Sequence, residues 1–202
     1  MRLAFIVINH NAYASYDISI LNTVKKSLQK LGYKIIYLIN TEATKLAVLS
    51  RLKSISKTIK KSDRFIFYFS GHTIWSPWKK GLNFFDFKPY HIFYDGKSNW
   101  MSNDELMDIV KSILCKKILL FDTCCGPLIG INKQKNTQIV TVSNKFGRTI
   151  SLLEKKEPIP IIAYYLKKIA SSPKNKLKDL WNPQNHIVNG IRMTITGKKM
   201  II

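Results

Sequence analysis

Short, unbroken apolar runs rich in β-branched and aromatic residues recur along this chain, and they constrain its fold more than any other feature. Leu3–Ile8 shows no polar alternation, the pattern of a strand covered on both faces. Tyr33–Ile39, Arg64–Phe69 and Lys117–Phe121 read as three further strands, and Gln138–Val142 as a fifth. Between them the apolar residues switch to helical spacing. Leu21, Val24, Leu28 and Leu31 mark a helix over 18–31 that Gly32 stops. Leu46, Leu49, Leu52 and Ile55 mark a second helix over 41–59. Ser102, followed by Asp104 and Glu105, is a helix start with an acidic first turn that leads into Leu106, Ile109, Val110 and Ile113. Ile159–Ala170 reads as a fourth helix, and Ile191–Thr196 alternates like a sixth strand. Residues 73–102 are rich in aromatics, Pro and Gly and read as an irregular excursion, with a short strand at Tyr90–Tyr94. Strands alternating with helices predict an α/β fold: a mostly parallel sheet of about six strands with helices on both faces.

The 202 residues fit one domain, and 46% hydrophobic content excludes a disordered tail. No apolar run is long enough to cross a bilayer. The apolar start carries one basic residue but meets Asn9-His10-Asn11 at once, which reads as a buried strand rather than a secretory signal. Three cysteines, two of them adjacent, make no disulfide framework and point to free thiols in a reducing, cytoplasmic setting. Spacing for zinc is absent, and Asp86, Asp95, Asp104 and Asp108 are too dispersed for a calcium site, so no cofactor is expected. The net charge of +21 is spread over the whole chain as Lys pairs, the pattern of a solvated basic surface with nonspecific attraction to nucleic acid.

Two strands end in chemically unusual residues. Phe65–Phe69 runs into Ser70-Gly71-His72, and Ile118–Phe121 into Asp122-Thr123-Cys124-Cys125-Gly126. In open α/β sheets ligands sit outside the carboxyl ends of strands, where such residues converge from distant positions. A thiol of ordinary pKa is a few per cent ionised at neutral pH, so a nucleophilic cysteine needs an imidazole to take its proton. The same histidine then protonates the leaving amine. A glycine beside it lets backbone approach the substrate, and its N–H, with that of Cys124, is suited to an oxyanion.

Phe67-Tyr68-Phe69-Ser70-Gly71-His72 resembles the (F/Y)SGH strand end of the caspase, metacaspase and paracaspase clan. Asp122-Thr123-Cys124-Cys125-Gly126 resembles that clan's nucleophile turn, and the spacing of 52 residues (124 − 72) matches it. Ile6–Tyr13 is similar to the first strand with its Asn-bearing exit, and Leu21 to Tyr33 to the helix that follows. The resemblance spans roughly residues 3–145. It implies a caspase-like three-layer sandwich over 1–202, with a large-subunit-like part at 1–126, an exposed loop at 127–138 and a small-subunit-like part at 139–202. It further implies His72 as general acid/base, Cys124 as nucleophile, and the amides of Gly71 and Cys124 as oxyanion donors. Asp122, two residues before the cysteine, resembles the acid that lines the P1 pocket of metacaspases and paracaspases, which cut after Arg or Lys. Calcium dependence is open by the same resemblance, without an identified site.

The sequence departs from the clan pattern at three places. Thr73 follows His72 where Gly is usual, and Cys125 stands where metacaspases often carry His. Ile20 occupies the place of a second acid at the start of the first helix, which leaves Asp17 as the nearest substitute for substrate binding. Cys125 packs under the turn, or is the nucleophile if the register slips by one. Cys115 reads as core, and His10, His91 and His186 as structural or surface residues. Trp75, Trp78, Phe84, Phe85 and Phe87 either flank a substrate groove or form a small core of the excursion. The resulting expectation is a cysteine endopeptidase acting on protein or peptide substrates, with a homodimer as one route to activation and self-cleavage expected at Lys133 or Lys135. A turnover-free binding protein of the same fold and a basic nucleic-acid-binding domain remain the alternatives.

Overall fold

A computed structural model describes residues 1–10, 14–76, 88–91, 101–123, 136–144, 151–154, 157–172 and 191–197. The chain begins β1 (Arg2–Asn9), α1 (Ala14–Lys30) and β2 (Lys34–Ile39), followed by a 3₁₀ turn (Asn40–Glu42), α2 (Lys45–Thr58) and β3 (Arg64–Gly71). Next come β4 (Thr73–Ser76), β5 (Lys88–His91), β6 (Met101–Ser102), α3 (Asn103–Ser112) and β7 (Lys116–Asp122). The remainder holds β8 (Thr137–Asn144), β9 (Ser151–Glu154), β10 (Glu157–Pro160), α4 (Ile161–Ser171) and β11 (Ile191–Gly197).

Six strands form the main sheet in the order β11-β8-β7-β3-β1-β2. Neighbours from β8 to β2 are parallel, and β11 closes the other edge antiparallel to β8. The unbroken apolar runs are explained by two cores, one on each face. Ala4, Ile6 and Ile8 join Tyr68, Leu120 and residues of α1 and α4 such as Val24, Leu28, Ile162 and Leu166. Leu3, Phe5 and Val7 join Phe67, Phe121 and residues of α2 and α3 such as Val48, Leu52, Leu106 and Val110. Alternate side chains of each central strand thus enter opposite cores, the three-layer α/β arrangement expected from the sequence.

Helix boundaries follow their caps. Gly32 adopts φ +82°, a conformation costly for residues with a Cβ, and turns the chain from α1 into β2. The expected start of α3 is met by a capping box: Ser102 Oγ accepts from Glu105 N–H at 3.1 Å, and Glu105 Oε2 accepts from Ser102 N–H at 2.7 Å. The second helix differs from expectation. Thr44 accepts from Ala47 N–H, so α2 starts at Lys45 rather than Thr41. Its buried stripe is Val48, Leu52 and Ile55, and Leu46, expected inside, is 76% exposed. The excursion after His72 is also more regular than expected, because β4, β5 and β6 pair as an antiparallel sheet. Of the short strand expected at Tyr90–Tyr94, Tyr90 and His91 belong to β5, and 92–94 lie outside the described residues. Of the expected loop at 127–138, Thr137 and Gln138 are buried in β8, and 127–135, with Lys133 and Lys135, lie outside the described residues. So do Trp78, Phe84, Phe85, Phe87, Asp86, Asp95 and His186.

Phe67 is fully buried between the rings of Phe5 and Phe121, with centroids at 5.8 and 6.0 Å. Phe67→Ala should therefore lower stability by about 3–5 kcal/mol. Leu46→Ala should stay within about 0.5 kcal/mol. Urea unfolding midpoints of the two variants check both.

Candidate active site

Parallel register brings three strand ends to one edge of the sheet. Ile8 stands opposite Ser70 and Asn9 opposite Gly71, while Ser70 also stands opposite Asp122. The residues that follow, His10, His72 and Thr123, therefore leave the sheet side by side. His72 is exposed directly beyond β3. Cys124 and Cys125 lie outside the described residues, which end in this region at Thr123. Cys115 is buried, and burial pushes its thiol up to about 11, which makes it an inert core residue.

Gly71 is required by space. A Cβ there would stand 2.6 Å from the Asn9 carbonyl oxygen and 3.1 Å from the Phe69 ring. Thr73, one of the three departures from the clan pattern, has a partner just after β7: Thr123 Oγ donates to Thr73 Oγ at 2.6 Å, and both residues are buried. This bond joins the residue after His72 to the residue before Cys124.

Asp122 is buried at the end of β7. Its Oδ2 accepts from Tyr68 O–H at 2.9 Å and from Ala163 N–H at 3.1 Å, and its Oδ1 accepts from Ile162 N–H at 3.1 Å. The carboxylate thus caps α4, whose own N-cap is Pro160 and supplies no side-chain bond. Burial raises the Asp122 carboxyl to about 6, against the opposing pull of Ile162 N–H, Tyr68, Ala163 N–H and the His10 charge. Burial likewise raises the Tyr68 hydroxyl far above its ordinary value, and the neighbouring Asp122 charge adds to the effect.

Asp17 lies in the first turn of α1, fully buried, with both carboxylate oxygens on one residue. Oδ1 is 2.5 Å from His10 Nδ1, and Oδ2 accepts from the His10 backbone N–H at 3.2 Å. His10 Nε2 lies 3.3 Å from Ser70 Oγ, and its ring meets those of Tyr16 and His72 edge-on, with centroids at 5.2 and 6.1 Å. Read from the sequence as a structural or surface residue, His10 is held by Asp17 and meets the His72 ring beyond the strand ends. A single histidine after a strand carries no periodic or motif signal, and only the juxtaposition of β1 and β3 shows which residues it meets. Ile20, in the place of the absent second acid, is buried in the core of the α1 face. Among the described residues no group of three or more His, Cys, Asp or Glu side chains is arranged to hold a metal ion. No helix among them is long and apolar enough to cross a membrane.

The family model of the caspase domain matches residues 1–186. No curated protein sequence matches. Among solved structures, a structural-genomics target protein of Geobacter sulfurreducens superposes with a TM-score of 0.68 at 11% identity, over 98% of this chain and 94% of its own. The Drosophila initiator caspase Dronc superposes with a TM-score of 0.57 at 11% identity, over 89% of this chain and 69% of its own. At that identity the two structures establish the fold.

Two outcomes test this geometry. Gly71→Ala should cost about 1–3 kcal/mol, because β1 or β3 must yield to the new Cβ; thermal unfolding measures it. For Asp122, folding raises the carboxyl pKa, so the folded state holds that proton more tightly than the unfolded chain does. Its contribution to stability is greatest below the ordinary carboxylate range and declines as pH rises to about 6, by on the order of 2–3 kcal/mol. Asp122→Asn lacks this titration. The stability gap between wild type and this variant should therefore shrink from about pH 4 to about pH 7 in urea unfolding.

Proposed function

The chain belongs to the caspase domain family, a family of cysteine peptidases, and on that premise we propose that it is an endopeptidase working through His72 and Cys124. The observation that carries the reading is the pairing of β3 with β7, Ser70 opposite Asp122, closed beyond the strands by the Thr123–Thr73 hydroxyl bond. Two segments so joined keep a fixed spacing between the residues they bear. His72 takes the Cys124 proton, the thiolate attacks the scissile carbonyl, and the amides of Gly71 and Cys124 hold the oxyanion. His72 then protonates the leaving amine, and water releases the acyl group.

The P1 residue is proposed to be Arg or Lys. Supporting this, Asp17 binds His10 beyond β1 and Asp122 ends β7, so two of the 12 acids in a chain with 33 lysines and arginines belong to the carboxyl edge of the sheet. The remaining charge of +21 draws polyanions nonspecifically, an attraction that salt removes.

Fluorogenic peptides ending in Arg or Lys should be cleaved, and Cys124→Ala should abolish turnover. His72→Ala should reduce kcat at least about a hundredfold. Full activity in Cys124→Ala, or no labelling of Cys124 by a peptidyl electrophile, would sink the assignment; preference for Asp at P1 would sink the proposed specificity.

A further inference from the structure

A general base that follows a strand end and faces solvent needs a neighbour to fix its ring. In catalytic pairs the base is itself oriented by a third group. The contact that the described residues give the His72 ring is the edge of His10, at 6.1 Å between centroids and 78° between planes. His10 is well suited to that task because it is held from several sides. Asp17 from α1 grips both its backbone N–H and its Nδ1, Ser70 from β3 faces its Nε2, and the Tyr16 ring closes a further side. Its side chain is only 16% exposed, whereas Asp17 is fully buried.

We propose that His10, anchored by Asp17, is a positioning residue that holds the His72 imidazole in its reactive orientation. The inference rests on the peptidase reading above. The charges are arranged to permit it. Among the described residues the ionisable groups around His10 are Asp17 on α1, Tyr16 on α1, His72 after β3 and Asp122 on β7, whose carboxyl feels the His10 charge. The Asp17 carboxylate at His10 Nδ1 balances a basic ring, so His10 brings no uncompensated positive charge beside His72. Asp17, His10 and Ser70 together have the outline of a serine hydrolase triad, but Ser70 is completely buried and offers its oxygen to no substrate.

The test is His10→Gln, whose amide N–H can still donate to Asp17 while the ring edge is lost. Loss of orientation raises the barrier without weakening substrate binding, so kcat should fall about ten- to a hundredfold with KM within about twofold. An unchanged kcat, or a raised KM with kcat intact, overturns the proposal. In wild type, a nuclear Overhauser effect between the His10 and His72 ring protons is expected, and its absence overturns the proposal independently of any assay. A wild type that cleaves no peptide and leaves Cys124 unlabelled overturns the peptidase reading instead, while the ring contact still decides whether His10 holds His72.

Discussion

One buried carboxylate joins the layers of this protein. Helix α4 begins at a proline and has no cap of its own, so its first amides must find an acceptor elsewhere. Asp122 supplies it from 40 residues earlier in the chain, and the same group takes the hydroxyl of Tyr68 from the neighbouring strand. β7, β3 and α4 are thereby fixed to one point. Any rotation of α4 over the sheet would leave two amides and a phenol unpaired in the interior, a penalty of a few kcal/mol. The burial that makes this contact specific also raises the carboxyl to about 6.

The site stands on that point. Tyr68 and Asp122 lie within the strands whose next residues include His72 and Thr123, so the interaction that seats α4 also sets the two strand ends in line. At the neighbouring strand end the same logic recurs. Asp17 on α1 reaches down to His10 as Asp122 reaches across to α4. Each helix of this face is tied through its first turn to the carboxyl edge of the sheet. That edge is therefore bounded by helix starts, whose partial positive charge favours the carboxylates found there.

Much of this was legible in the residues, for identifiable reasons. Strands buried on both faces announce themselves as unbroken apolar runs, and both Leu3–Ile8 and Arg64–Phe69 lie inside observed strands. The α3 start was readable because its cap is local, Ser102 and Glu105 being three residues apart. Long-range features were not. That Asp122 caps α4 depends on a helix far along the chain, and the reach of Asp17 to His10 depends on how α1 leaves β1. Leu46 was misassigned because leucine spacing alone does not reveal that Thr44 restarts the helix and turns a different stripe inward. The strands β4 to β6 lie in a segment whose aromatics, prolines and glycines mask any alternation.

The Thr123–Thr73 bond has a consequence for how such a protein can diversify. It closes a long stretch of chain, 50 residues between its ends, within one hydroxyl contact. Within it, β4, β5 and β6 form a sheet of their own, separate from the main one. Thr73 opens this small sheet opposite His91 of β5, so the bond to Thr123 also fixes where the small sheet begins relative to β7. Selection can thus vary the small sheet beyond that first pair while the ends of β3 and β7 stay in register.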